Sequence, residues 1–136
     1  MNRLLGVLGG MGPLATVDFM RKVIEATPAR SDQEHLPLIV YSVPQVPDRT
    51  AAILQGGASP LPAMLRGIEV LGRAGAQALA IPCNTAHYWY DELVRQGGLP
   101  ILHIADAACA ALERRGVRGA AVGLLATSGT LAAGFY

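Results

Sequence analysis

Cys83 is one of two cysteines in the chain. It sits in "AIPCNTAH" (80–87), where an apolar run gives way to Pro82 and then to the polar pair Asn84 and Thr85. A thiol placed where a strand passes into a helix meets backbone N–H groups and the positive end of the helix dipole. That setting lowers a cysteine pKa from its ordinary value of about 8.5. The resulting thiolate can serve as nucleophile or as proton acceptor, with Asn84 and Thr85 as donors beside it. The competing reading is a buried structural cysteine followed by an Asn-Thr helix cap. Arg49, in "PDRT" (47–50), carries a planar guanidinium that matches a carboxylate with two parallel hydrogen bonds, and Thr50 adds a hydroxyl. Its competing reading is a solvated loop arginine paired with Asp48.

Other residues carry weaker signals. "GMGPLA" (10–15) matches the dinucleotide-binding pattern, but "LIVYSVP" (38–44) lacks the acidic residue expected at the end of the next strand, and Pro13 removes a phosphate-binding N–H. A glycine turn that lets backbone approach a small ligand fits better. Lys22 is the only lysine, which leaves little room for a pyridoxal Schiff base. Cys109 falls on a helical face with Ala105, Ala108 and Leu112 and reads as packing. His87 reads as a helix-surface or cap residue ahead of an acid, and His103 with Asp106 as a local structural hydrogen bond. Tyr88, Trp89 and Tyr90 cannot all face one way on a helix, so they divide between core and interface. No Cys/His spacing suggests zinc.

These residues need elements to position them. Apolar, β-branched runs predict strands over 3–10, 37–43, 76–82, 99–104 and 119–127. Helical periodicity predicts helices over 13–27, 61–75, 85–96 and 105–116, with a long Pro/Gly-containing loop over 44–60 and a further turn or helix beginning after 127. The order of alternating strands and helices makes this an α/β protein with a mainly parallel sheet flanked by helices. Ligands of such sheets bind at the carboxyl ends of the strands. "GGMGP" (9–13), "PQVPDRT" (44–50), "PCNTAH" (82–87) and "ATSGT" (126–130) all fall there, so one rim gathers segments far apart in the chain.

Composition narrows the classes further. A chain of 136 residues suits one domain. Eleven basic and ten acidic residues, with no Lys/Arg stripe, argue against nucleic acid as partner. Arg114, Arg115 and Arg118 form the nearest basic cluster and read as a helix-end cap. No apolar run approaches the roughly 20 residues of a membrane span. The apolar start "RLLGVLGG" reads as a buried first strand because glycines and Pro13 break a signal-peptide pattern. Two cysteines make no disulfide framework, which points to a reduced, cytoplasmic setting.

"GVLGGMGPLATVDFMRKVIEATPARSDQEHLPLIVYSVPQVPDRT", "AIPCNTAHYWYDEL" and "LLATSGTLAAGFY" together resemble the aspartate/glutamate racemase family, closest to its aspartate and broad-specificity amino-acid racemases. The resemblance implies the first lobe of a two-lobed, pseudo-symmetric fold, with residues 1–116 as that lobe and 117–136 as the crossover and first strand of a truncated second lobe. It implies racemisation without pyridoxal phosphate or metal, between two cysteines that serve opposite faces of the substrate Cα. By motif, Cys83 is the acid/base of the first lobe. Asn84 and Thr85 bind the α-carboxylate or amino group, Met11 lines the pocket, and Arg49 with Thr50 reads a second carboxylate. Thr127 and Thr130 approach from the start of the second lobe. The family's second cysteine lies in a downstream Gly-Cys-Thr segment that these residues do not contain, so the chain is expected to lack useful racemase activity by itself. The family's members are often dimers, which makes a homodimer one expected state. A single-cysteine decarboxylase or diacid isomerase of the same superfamily, and a non-catalytic small-acid-binding module, remain as alternatives.

Overall fold

The computed structural model describes residues 4–119 and 121–136. Parts of two expected strands, Arg3 and Ala120, lie outside the described residues. Three strands form an all-parallel sheet in the order β2-β1-β3, where β1 is Leu5–Gly9, β2 is Leu38–Ser42 and β3 is Ala78–Ala80. β1 is central and pairs Val7 with Val40 on one side and with Ala80 on the other. A strand paired on both edges and covered on both faces must be apolar throughout, and Val7 and Leu8 are fully buried.

Between β1 and β2 runs helix α1, Pro13–Ala26, started by proline at its first position. It buries only Thr16 completely, while Leu14, Val17 and Ile24 lie exposed and Met20 and Val23 half-buried. The Thr16 hydroxyl accepts from the Gly10 amide at 2.9 Å and donates to the Gly12 carbonyl at 3.0 Å, tying the turn after β1 to the helix. Helix α3, Leu61–Arg73, covers the other face. Met64, Ile68 and Leu71 recur at helical spacing and are completely or almost completely buried with Leu8, Leu79 and Leu93. Each such side chain contributes about 1.5–3 kcal/mol by leaving water.

Four expectations need correction. The stretch over 44–60 is not all loop: Asp48 caps a short helix, α2 (Arg49–Leu54), by accepting from the Ala51 amide at 2.6 Å. The helix expected over 85–96 begins as a 3₁₀ segment, Thr85–Trp89, before α4, Tyr90–Gly97. The strand expected over 99–104 shrinks to one parallel bridge between Leu79 and Ile101, because α5 (Ile104–Arg114) takes over at its end. The strand expected over 119–127 does not form among the described residues: 121–127 pairs with no strand of the sheet, and Leu125 is fully exposed. The chain then turns into α6, Ser128–Ala133. Among the described residues no helix is long and apolar enough to cross a membrane.

Candidate active site

The rim is assembled from three elements that are remote in sequence. After β3, Cys83 stands half-buried at the head of the 3₁₀ segment. Its own amide donates to the Ile81 carbonyl at 2.7 Å. Thr85, one residue beyond Asn84, is buried, and its hydroxyl meets two others: Thr127 Oγ1 at 2.9 Å and Thr130 Oγ1 at 2.8 Å. Thr127 and Thr130 are themselves 3.1 Å apart, so three hydroxyls close a triangle. Thr127 is also the N-cap of α6, accepting from the Thr130 amide. A hydroxyl both donates and accepts, so such a triangle can reorient its protons toward a ligand that offers either role.

Helix α6 seats against α2 as well as against the Cys83 loop. Gly129 makes this possible: a Cβ there would stand 2.7 Å from Thr50 Oγ1 and 3.0 Å from Thr85 Cγ2. Sequence reasoning missed Gly129, although its place between two threonines of "ATSGT" offered the signal. Thr50 and Thr85 thereby both lie against Gly129. Arg49, at the start of α2, turns one guanidinium nitrogen onto the carbonyls of Val46 (3.1 Å) and Pro47 (3.0 Å). Its Nε is buried and, among the described residues, donates to nothing. The alternative pairing with Asp48 is not made, since the Asp48 carboxylate caps α2. Asn84 is exposed, and its Oδ1 accepts from the Tyr136 hydroxyl. The Met11 side chain is buried in the same hydrophobic cluster as Val46 and Ile81, so what it supplies to the rim is the course of its backbone.

Other residues go elsewhere. Cys109 is exposed on α5, not packed, and so is Ala108, although Ala105 on the same face is buried. Trp89 is buried, Tyr88 half-exposed, and the Tyr90 hydroxyl donates to the Ile101 carbonyl, so the three rings face different ways. His103 Nδ1 accepts from the Ala105 amide, while the Asp106 carboxylate stays 3.9 Å away, so the local bond is made to backbone and not to Asp106. His87 is not a surface residue: it is 4% exposed, with Nδ1 2.9 Å from the Cys83 carbonyl. Among the described residues no cluster of His, Cys, Asp or Glu could hold a metal ion.

Burial pushes the His87 pKa below its ordinary value, and the nearby His103 adds to that; hydrogen bonding to backbone opposes it. The unfolded chain then takes up a proton at His87 near pH 6.5 while the folded chain resists it. Folding stability is therefore undiminished above that pH and falls as pH drops below it. The expected result is a melting temperature that declines from pH 7 to pH 5, with part of the decline removed in His87→Gln. Equal declines in parent and variant would refute the assignment.

The described residues thus place a half-buried thiol, a hydroxyl triangle and a guanidinium around a parallel α/β sheet. The family model described as Asp/Glu/Hydantoin racemase matches residues 8–136, and the chain belongs to that family. It is 32% identical over 107 residues to the broad specificity amino-acid racemase RacX of Bacillus subtilis (strain 168), covering 76% of this chain and 46% of RacX. Among solved structures it is similar to the Picrophilus torridus aspartate racemase, with 34% identity, a TM-score of 0.84, and coverage of 98% of this chain and 56% of that one. An aspartate racemase homologue from Pyrococcus horikoshii OT3 follows with 26% identity, a TM-score of 0.70, and coverage of 85% and 50%. The chain spans about half the length of these relatives.

Proposed function

We infer that this chain supplies one proton-transfer face of a cofactor-independent amino-acid racemase acting on aspartate, glutamate or a related acid. The observation that carries the reading is the convergence of the Cys83 loop, α2 and α6 around the hydroxyl triangle. An amino-acid Cα–H is a very weak acid. Removing its proton requires a base within reach, donors that stabilise the charge developing on the α-carboxylate, and exclusion of water. Cys83 is the base. Thr85 and Thr130, both buried, and Thr127 and Asn84 beside them are the donors for the α-carboxylate or amino group. Arg49, with its unpartnered Nε, and Thr50 receive the side-chain carboxylate of a dicarboxylic substrate.

A base returns its proton only to the face it took it from. Cys109, the remaining cysteine, is exposed on α5, so the 136 residues hold one thiol for this work. The chain by itself should exchange the Cα proton without inverting the centre. The test is incubation of L-aspartate and L-glutamate with the purified chain in D2O, followed by proton NMR and chiral chromatography. Deuterium at Cα with retained configuration is the expected outcome. Accumulation of D-enantiomer would overturn the one-face reading, and no exchange with either substrate would overturn the role of Cys83. The single thiol on the rim also suits a one-base decarboxylation of a malonate-type acid; carbon dioxide release without Cα exchange would favour that reading instead.

Arg49 should decide the substrate's second carboxylate. Arg49→Lys keeps the charge but loses the planar fork. The exchange rate for aspartate is expected to fall about 10- to 100-fold while that for alanine stays nearly constant. A parallel loss for both substrates would show that Arg49 only braces its own loop.

A further inference from the structure

The arrangement around His87 points to a task beyond filling space. The amide of His87 donates to the Asn84 carbonyl, three residues back, as 3₁₀ geometry requires. That shift leaves the Cys83 carbonyl without a backbone donor among the described residues. The His87 imidazole takes the place of the absent amide, with Nδ1 at 2.9 Å. Cys83 is then held at both ends, its N–H by the Ile81 carbonyl and its C=O by the imidazole. With both peptide planes pinned, rotation about χ1 is the main freedom left to the thiol.

The ring that does this is itself held. It stacks on Tyr90 with centroids 6.1 Å apart and planes 13° from parallel, and meets the edge of His103 at 5.2 Å and Phe135 at 6.2 Å. Tyr90 is anchored through its hydroxyl and His103 through its Nδ1, so the walls of the box are fixed too. A carbonyl can only accept, so Nδ1 carries the hydrogen. Nε2 is then a bare lone pair, and it is buried without a partner among the described residues. Burial opposes a charge on the ring, so the geometry selects the neutral Nδ1–H tautomer.

We propose that His87 is a positioning residue for Cys83: its Nδ1–H fixes the peptide that carries the thiol and so sets the direction from which the thiol meets a substrate. The last step rests on the proton-transfer role of Cys83; the pinning itself does not. The experiment follows the rate at which iodoacetamide alkylates Cys83, in a Cys109→Ser background, by mass spectrometry at one fixed pH. Asparagine can present an amide N–H where Nδ1 stands, whereas glutamine carries its amide out toward the Nε2 position. His87→Asn should alkylate within about twofold of the parent, because the donor is kept. His87→Gln should alkylate about five- to tenfold faster, the change that losing one neutral hydrogen bond gives to a restrained loop. If His87→Gln does not fold, His87→Met, which fills the box without a donor, takes its place and the same increase is expected. Asn and Gln variants that alkylate alike, at either rate, overturn the proposal.

The Cα exchange assay adds a second readout. The Gln variant should lose kcat with KM nearly unchanged, and the Asn variant should recover it. A rise in KM without loss of kcat would overturn the positioning role. The two inferences fail separately. Alkylation that follows the donor, in a chain that exchanges no Cα proton, would sink the acid/base role of Cys83 and leave the pinning intact.

Discussion

Replacing Cys83 with alanine is expected to remove Cα deuterium exchange by about 10²- to 10⁴-fold, the range that a positioned acid/base group contributes. Serine at this position should be no better. Its hydroxyl occupies the same space but is a far weaker acid than a thiol, so almost none is ionised at neutral pH. Stability should change by less than about 1 kcal/mol, since the side chain is half-buried and its neighbours are held by backbone bonds that either variant keeps. Cys109→Ala provides the control: that thiol is exposed on α5, and both exchange and melting temperature should match the parent. The measurements are initial exchange rates by NMR and thermal melts by circular dichroism. Exchange by the Cys83→Ala chain within tenfold of the parent would remove Cys83 from the mechanism and transfer attention to the threonines.

Gly10→Ala should cost the most stability of any small substitution on the rim. Gly10 has φ of +91°, outside the range that side-chain-bearing residues adopt readily. A Cβ there would stand 2.3 Å from the Val43 nitrogen, 2.4 Å from the Val43 carbonyl carbon and 2.8 Å from the Pro44 nitrogen. All three are backbone atoms, so no rotamer change relieves the clash. The Val43 amide also donates to the Gly9 carbonyl at 3.1 Å, so moving that segment breaks a rim hydrogen bond. Left-handed strain and overpacking together amount to about 3 kcal/mol or more, a large share of the roughly 5–15 kcal/mol that holds a domain. A drop in melting temperature of about 10 °C or more is expected, while Gly123→Ala, whose Cβ would meet open space, should be nearly neutral. A Gly10→Ala melt within about 3 °C of the parent would contradict the close approach. The site would suffer too, because Val43 and Pro44 lead directly to the loop and helix that carry Arg49 and Thr50. The glycine turn that reads in sequence as room for a ligand is, in the fold, room for the neighbouring strand end.

The amino-acid sequence by itself determined the α/β class, the three paired strands, the principal helices and the membership of the rim. Those features rest on local regularities: runs of β-branched residues, helical spacing of apolar ones, and strand ends that carry unusual polar groups. Tertiary structure alone decided the rest. Whether 99–104 and 121–127 became strands depended on pairing with the sheet, and among the described residues only Ile101 pairs, with Leu79. That Thr85 meets hydroxyls 42 and 45 residues away depended on α6 folding back over α2, where Gly129 allows the approach. His87 reads as a cap or surface residue from its spacing, yet its burial was set by the rings of Tyr90, His103 and Phe135. Propensity and periodicity act between near neighbours in the chain. Edges, burial and hydrogen-bond partners belong to neighbours in space, and only the packed chain assigns them.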